Sequence, residues 1–342
     1  MAVKIVDSTN QELLFNLKKE KYPIYFTLPY HQFEQALGYE TGYFNSNNEI
    51  FMPFRVYKKW LFRFVQIMYP PLKNGVIMSE AEEKLFLNEC VSSLKSQNKY
   101  HRIIQPFIMD VFQTFPDESD HCEFGQLYLN IDGKSEEEIF SGFQARYRSQ
   151  IRSAANDNLS LIKNGETEIE NCYELYKNLH QRQSMYHDNK SYFTSLKECL
   201  QKEEVFFYTA YYNNIPQCSA LITLKNNEAY YLFGGSVPKT AHQGIIKLMH
   251  WEIIKKIKSL GVKKYIWGGC RLSDVSGTKQ QGMQEFKLRF GSEIKKGYLW
   301  KIDINKSYSN FYDFLIAFQH KMKGKQYKGD VIDYEKNRAV II

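Results

Sequence analysis

The sequence predicts an α+β protein built of two similar domains, and three observations predict it. Its 342 residues exceed what one compact core usually organises. With 43% hydrophobic and 24% charged residues, the chain has the balance of a globular protein able to bury a sizeable core. The order of its segments is most informative. Helices, an antiparallel meander, a long helix and a strand follow one another twice, without matching sequence.

Each element has a local cause. Ser8 followed by Gln11 reads as a capping box opening a first short helix. YHQFEQALG reads as a second helix stopped by Gly38. ETGYF, EIFMPFRVY and LFRFVQIMY alternate or run apolar between the breaks NSNN and KKW, which predicts three antiparallel strands closed by Pro70 and Pro71. Ser79 with Glu82 caps a long helix, SEAEEKLFLNECVSSLKSQ, and HRIIQ follows as a strand. The strand QLYLNI and a second capping box, Ser135–Glu138, lie at the passage to the next domain. There helices span 168–182 and 191–200, and the strands VFFYTAYY, QCSALITL and EAYYLFGGS turn at NNIP and NN. The helix AHQGIIKLMHWEIIKKIKSL stops at Gly261, and KKYIWGG is the next strand.

The formal net charge of +7 suits either solvated faces or attraction to phosphates. Cations cluster at Arg146, Arg148 and Arg152, at Lys255, Lys256 and Lys258, at Lys263 and Lys264, and at Lys321, Lys323, Lys325 and Lys328. The six cysteines form no CxxC pair and the eight histidines no HxxxH or HExxH spacing, which argues against a disulfide framework and against zinc. MAVKIVDSTNQELLF lacks a signal-type apolar core and no apolar run reaches membrane-spanning length. A cytoplasmic protein is expected, with peripheral contact to a membrane left open.

The stretch EFGQLYLNIDGKSEEEIFSGFQARYRSQIRSAANDNLSL, then YKNLHQRQSMYHDNKSYFTSL, YLFGGS, LMHWEIIKKIKSLG, KYIWGGC and GMQEFKLRFG follow one another in a telling order. In that order and spacing the chain resembles the FemABX family of aminoacyl-tRNA-dependent peptidyltransferases, and the broader FemAB-related acyltransferases of envelope-polysaccharide synthesis. The resemblance covers most of the chain and is clearest from 124 to 300. It implies two tandem GNAT-like domains, of the acyl-CoA N-acyltransferase type, each a mostly antiparallel sheet flanked by helices. The first would span 1–134, completed by 305–342 through a helix from Ser307 to Lys321; the second would span 135–304. No long helical arm of the kind that binds tRNA is present in the sequence.

Site residues follow from the residues and from the resemblance together. On a helix over 280–290, Met283, Phe286 and Phe290 form one apolar stripe facing the core, with Lys287 at its edge. By pattern alone Lys287 is a snorkelling surface lysine. The resemblance makes the Phe286–Lys287 pair catalytic, the ammonium stabilising the oxyanion formed when an amine attacks an ester or thioester. By pattern alone Arg182 and Tyr186, four apart and expected on one helix face, are an exposed arginine and a half-buried tyrosine; the resemblance implies that they hold phosphates of a nucleotide-linked acceptor, with Tyr231 as a third candidate. Arg271 and Asp274 lie in the loop after Gly268 and Gly269, where Asp274 either handles the amine proton or caps the loop. Two departures from the family pattern are Phe233, where a tyrosine is expected, and the absence of a lysine in YHQFEQALG, for which Lys58 or Lys59 would substitute. VPKTAHQGIIK, with Ile245 and Ile246 after Gly244, is a poor cradle for CoA phosphates.

The expected activity is amide formation on a cell-envelope precursor, with aminoacyl-tRNA as donor, a peptidoglycan precursor as nucleotide- or lipid-linked acceptor, and no cofactor. Alternatives are a CoA-dependent N-acyltransferase acting on an amino sugar, and a non-catalytic RNA- or nucleotide-sugar-binding protein.

Overall fold

The computed structural model describes residues 2–18, 21–322 and 329–339. Lys323, Lys325 and Lys328 of the basic tail lie outside the described residues. The chain forms two compact units: Met1–Gln126 with Gly269–Ser276 and Lys295–Ile342, and Leu127–Gly268 with Gly277–Ile294. Relative to the division expected from sequence, residues 127–134 group with the second unit, and 269–276 and 295–304 with the first.

The first unit opens with β1 (Lys4–Asp7), α1 (Gln11–Leu17), α2 (Leu28–Ala36), β2 (Glu40–Ser46), β3 (Ile50–Lys59) and β4 (Phe62–Ile67). Two short strands, β5 (Leu72–Lys73) and β6 (Val76–Ile77), lead to α3 (Glu80–Gln97) and β7 (Arg102–Ile104). The cap of α1 is Asn10, not Ser8: the Asn10 side chain accepts from the Leu13 N–H. Ser8 is instead buried, with its hydroxyl 2.9 Å from that of Thr41. A hydroxyl three residues from a glutamine marks a cap only if it stays at the helix end; here packing takes it into the core. The Ser79–Glu82 box forms as expected. Strands β2, β3 and β4 are antiparallel, and β4 runs parallel to β7 with Val65 opposite Ile103. A parallel neighbour requires a crossover, which α3 provides. Phe86, Leu87, Cys90 and Leu94 of α3 join Met52, Phe54, Val65 and Ile67 in one core.

The second unit repeats this plan. It takes β8 (Asp120–Asn130) from Leu127 onward, then α4 (Glu136–Ser141), α5 (Ala145–Ala155), β9 (Ser160–Asn164), α6 (Ile169–Arg182) and α7 (Lys190–Cys199). The meander β10 (Val205–Tyr212), β11 (Ile215–Lys225) and β12 (Glu228–Ser236) follows, then α8 (Ile245–Ser259), β13 (Lys264–Cys270) and α9 (Lys279–Leu288). Strand β13 is parallel to β12, with α8 as crossover. The sequence reading missed β9, which pairs with β10 at the sheet edge. It also missed β14 (Glu293–Asp303), whose lysines interrupt the apolar alternation; β14 pairs with β7 through Ile302 and Ile103. The chain ends with α10 (Lys306–Met322) and α11 (Val331–Ala339) in the first unit.

Candidate active site

The site begins where two parallel strands separate. Strands β12 and β13 pair at Glu228/Lys264, Ala229/Tyr265 and Tyr230/Ile266, and no further. The cause lies in β12, whose register with β11 slips: Leu221 faces Phe233 but Ile222 faces Tyr231. Leu232 is therefore one residue too many, a bulge that bends the strand and re-aims its side chains. Residues two apart ordinarily share a face. Here Tyr231 meets His250 of α8 at 5.1 Å, whereas Phe233 meets Tyr176 of α6 and Phe193 of α7 at 4.9 and 5.8 Å. Phe233, partly buried, supplies an aromatic contact here and no hydroxyl. Gly234 makes room for Tyr231: a Cβ there would lie 1.6 Å from the Tyr231 hydroxyl. Burial pushes that hydroxyl's pKa above its ordinary value, so Tyr231 stays a neutral phenol.

Past Ile266, the carbonyl of Trp267 has lost its strand partner and takes another. Lys287 Nζ donates to it at 2.8 Å. The lysine is half-buried, its reach set by α9 and by Phe286, whose ring packs 5.6 Å from His250 and 6.0 Å from Tyr147. The expected apolar stripe splits: Met283 is 54% exposed, while Phe290 is buried just beyond the end of α9. Phe290, not Met283, anchors this corner, packing tilted against Trp267 at 5.2 Å and edge-on against Phe143 at 5.1 Å.

Sequence reasoning overlooked His250. It is fully buried, 4.9 Å from the Trp267 ring, with Nδ1 3.2 Å from the Tyr265 hydroxyl. Its pKa is lowered to about 3, first by burial and then by the charge of Lys287. His250 is thus a neutral aromatic wall beside a cation. The only sequence signal was its place at the apolar spacing of His250, Ile253, Ile254 and Ile257 on α8, where a histidine reads as core.

Other expected residues are placed differently. Arg182 ends α6, and its guanidinium donates to the Ser236 carbonyl at 2.5 Å, at the end of β12. Cations therefore sit on carbonyls of both separating strands. Tyr186 does not share a helix face with Arg182, because α6 stops and Ser184 turns left-handed. The Tyr186 side chain is 82% exposed, while its carbonyl is held by His180 Nδ1 at 2.5 Å. Arg271 and Asp274 group with the first unit. Arg271 pairs with Glu335 at 3.3 Å and lies over the Tyr334 ring, packing α11. The Asp274 carboxylate accepts the Ser276 N–H at 2.9 Å, and the Ser276 hydrogen bonds lower its pKa. That is a loop-capping carboxylate.

The corresponding carbonyl in the first unit is closed by a neutral group. There β4 and β7 pair as far as Gln66/Ile104, and Gln66 Nε2 donates to the Gln105 carbonyl at 2.9 Å. Beside it Arg55 is neutralised by the buried Glu34 at 2.7 Å. The two units thus share a plan, but among the described residues only the second sets an ammonium at the strand divergence. Burial raises the thiols of Cys90, Cys122, Cys172, Cys199 and Cys218, so none is poised as a nucleophile. Among the described residues no cluster suits a metal ion, and no helix is long and apolar enough to cross a membrane.

Residues 141–287 match the family described as acetyltransferase (GNAT) domain. Among solved structures, FemX is similar with a TM-score of 0.65 at 14% identity, over 87% of this chain and 96% of that one. L-PGS from Bacillus licheniformis is similar at 0.52 and 13%, over 87% and 93%. A tandem GNAT protein from the clavulanic acid biosynthesis pathway is similar at 0.50 and 7%, over 89% and 99%. No curated protein matches the chain in sequence. At these identities what is shared is the fold, and the expected α+β architecture of GNAT type is borne out. Residues 141–287 are thus similar to a GNAT acetyltransferase domain, within a fold that most of the chain shares with FemX.

Proposed function

We propose that the protein transfers an aminoacyl group from aminoacyl-tRNA to an amine of a cell-envelope precursor. The observation that carries this reading is Lys287 Nζ, fixed on the Trp267 carbonyl where β12 and β13 part. The amine lone pair forms a bond to the ester carbonyl carbon, and the carbonyl oxygen takes up negative charge. Lys287 stabilises that oxyanion, its position set in advance by Trp267, Phe286 and Phe290. Collapse breaks the ester C–O bond, and the ammonium proton leaves with the ribose oxygen. Arg182 holds an anionic part of the acceptor, and Tyr231 lines the site as a neutral phenol. Arg271 and Asp274 have no part in the reaction proposed.

The loop before α8 favours an ester of tRNA over a CoA thioester. CoA phosphates are held by backbone N–H groups at a helix N-terminus. Here the Ala241 N–H goes to Gln217 Oε1, the Gly244 N–H to His242 Nδ1 and the Ile245 N–H to the His242 carbonyl, at 2.9, 3.0 and 3.2 Å. A Cβ at Gly244 would lie 2.1 Å from the Gln150 carbonyl, so α5 covers the approach.

The test supplies the full chain with bulk charged tRNA or with acetyl-CoA, plus amine acceptors linked to nucleotide or lipid. Amide formation is expected with tRNA and is lost in Lys287→Ala. Amide formation with CoA alone replaces the donor. Saturable tRNA binding without turnover on any acceptor returns the protein to the non-catalytic class.

A further inference from the structure

In the first unit, α10 is held by one side only. Ser309 and Ile316 are buried, and Tyr312 packs on Phe62 and Phe64 at 5.0 and 4.7 Å. The opposite side is apolar and faces solvent. Phe311, Phe314, Phe318 and Met322 are 54, 64, 57 and 74% exposed, and their three- and four-residue steps make one stripe. The stripe reaches the β3–β4 hairpin through Phe311, whose ring lies 6.1 Å from that of Phe62, and the hairpin tip, Trp60 and Leu61, is 58 and 87% exposed. A contiguous apolar surface of this kind marks an interaction site.

Its charge identifies the occupant. Lys59 lies over the Trp60 ring at 5.2 Å, and Lys306 and Lys321 are exposed at the two ends of α10. The neighbouring acids are neutralised: Asp313 pairs with Arg102, and Glu40 with Lys58 and Arg63. A two-fold copy would set these lysines against their own equivalents, whereas anionic headgroups neutralise them.

We propose that this surface docks on an anionic lipid bilayer. Helix α10 lies in the headgroup plane with Phe311, Phe314, Phe318 and Met322 inward, and Trp60–Leu61 enters beside it. The inference is independent of donor and acceptor, because it is read by binding and not by turnover.

The test is sedimentation of the full chain with phosphatidylcholine vesicles, with and without phosphatidylglycerol, at low and high salt. Binding is expected only with phosphatidylglycerol and weakens with salt. Phe314→Ser with Phe318→Ser lowers the partition coefficient about tenfold or more. Lys59→Glu with Lys321→Glu lowers it by about fivefold per lysine or more. Leu85→Ser, at an exposed position of α3, leaves it unchanged. Binding that ignores lipid charge, or paired variants that bind like the parent while melting at its temperature, overturns the proposal. So does a dimer in analytical ultracentrifugation that the phenylalanine pair abolishes without any lipid binding.

Discussion

Replacing Lys287 by methionine separates its two roles. Methionine keeps most of the aliphatic stem beside Phe286 and removes only the ammonium. The carbonyl of the buried Trp267 then loses its 2.8 Å donor, and a buried carbonyl left unpaired costs about 1–3 kcal/mol of folding stability. His250 also loses the smaller of the two influences that lower its pKa, so its pKa rises from about 3 but stays below 6.5, because burial remains. In the transition state the loss is larger. A fixed oxyanion donor contributes about 10²–10³ in kcat, or about 2.7–4 kcal/mol. Urea unfolding measures the first quantity and single-turnover amide formation the second. Lys287→Met is expected to lose modest stability and at least two decades of turnover, with partial recovery in Lys287→Arg. Turnover within a small factor of the parent, alongside the stability loss, would refute the reasoning and leave Lys287 as a strand cap.

Gly235→Ala places a Cβ 2.2 Å from the Leu175 carbonyl carbon and 2.3 Å from the Tyr176 nitrogen, both backbone, so α6 must move off β12. Thermal unfolding should show a loss of about 1–3 kcal/mol or more. Arg182→Ala is expected to raise KM for an anionic acceptor while leaving kcat near the parent value, in steady-state kinetics over acceptor concentration. His31 and His250 are buried with folded-state pKa values lowered to about 3, against 6.5 in the unfolded chain. Between these values the unfolded chain binds more protons, so stability falls as pH drops through the window. At about pH 5 each ring costs about 2 kcal/mol, measurable as a fall in urea midpoint that His31→Gln reduces.

What the sequence by itself determined was the succession of elements. Period-2 runs such as VFFYTAYY and capping boxes such as Ser79–Glu82 and Ser135–Glu138 are local signals, and those strands, caps and helices formed where expected. The α+β class and the doubled plan followed from them. Local signals also misled where tertiary packing competed, as when Ser8 left the cap of α1 to meet Thr41. Tyr186 looked helical beside Arg182 until Ser184 turned left-handed. The candidate site was legible only as the pair Phe286–Lys287. What makes that lysine more than a surface cation is a bulge at Leu232, a strand pair that ends at Ile266, and a carbonyl at Trp267 left to be satisfied. Register and strand divergence depend on partners tens of residues apart in the chain. No local pattern encodes them, so they were decided only when the sheet assembled.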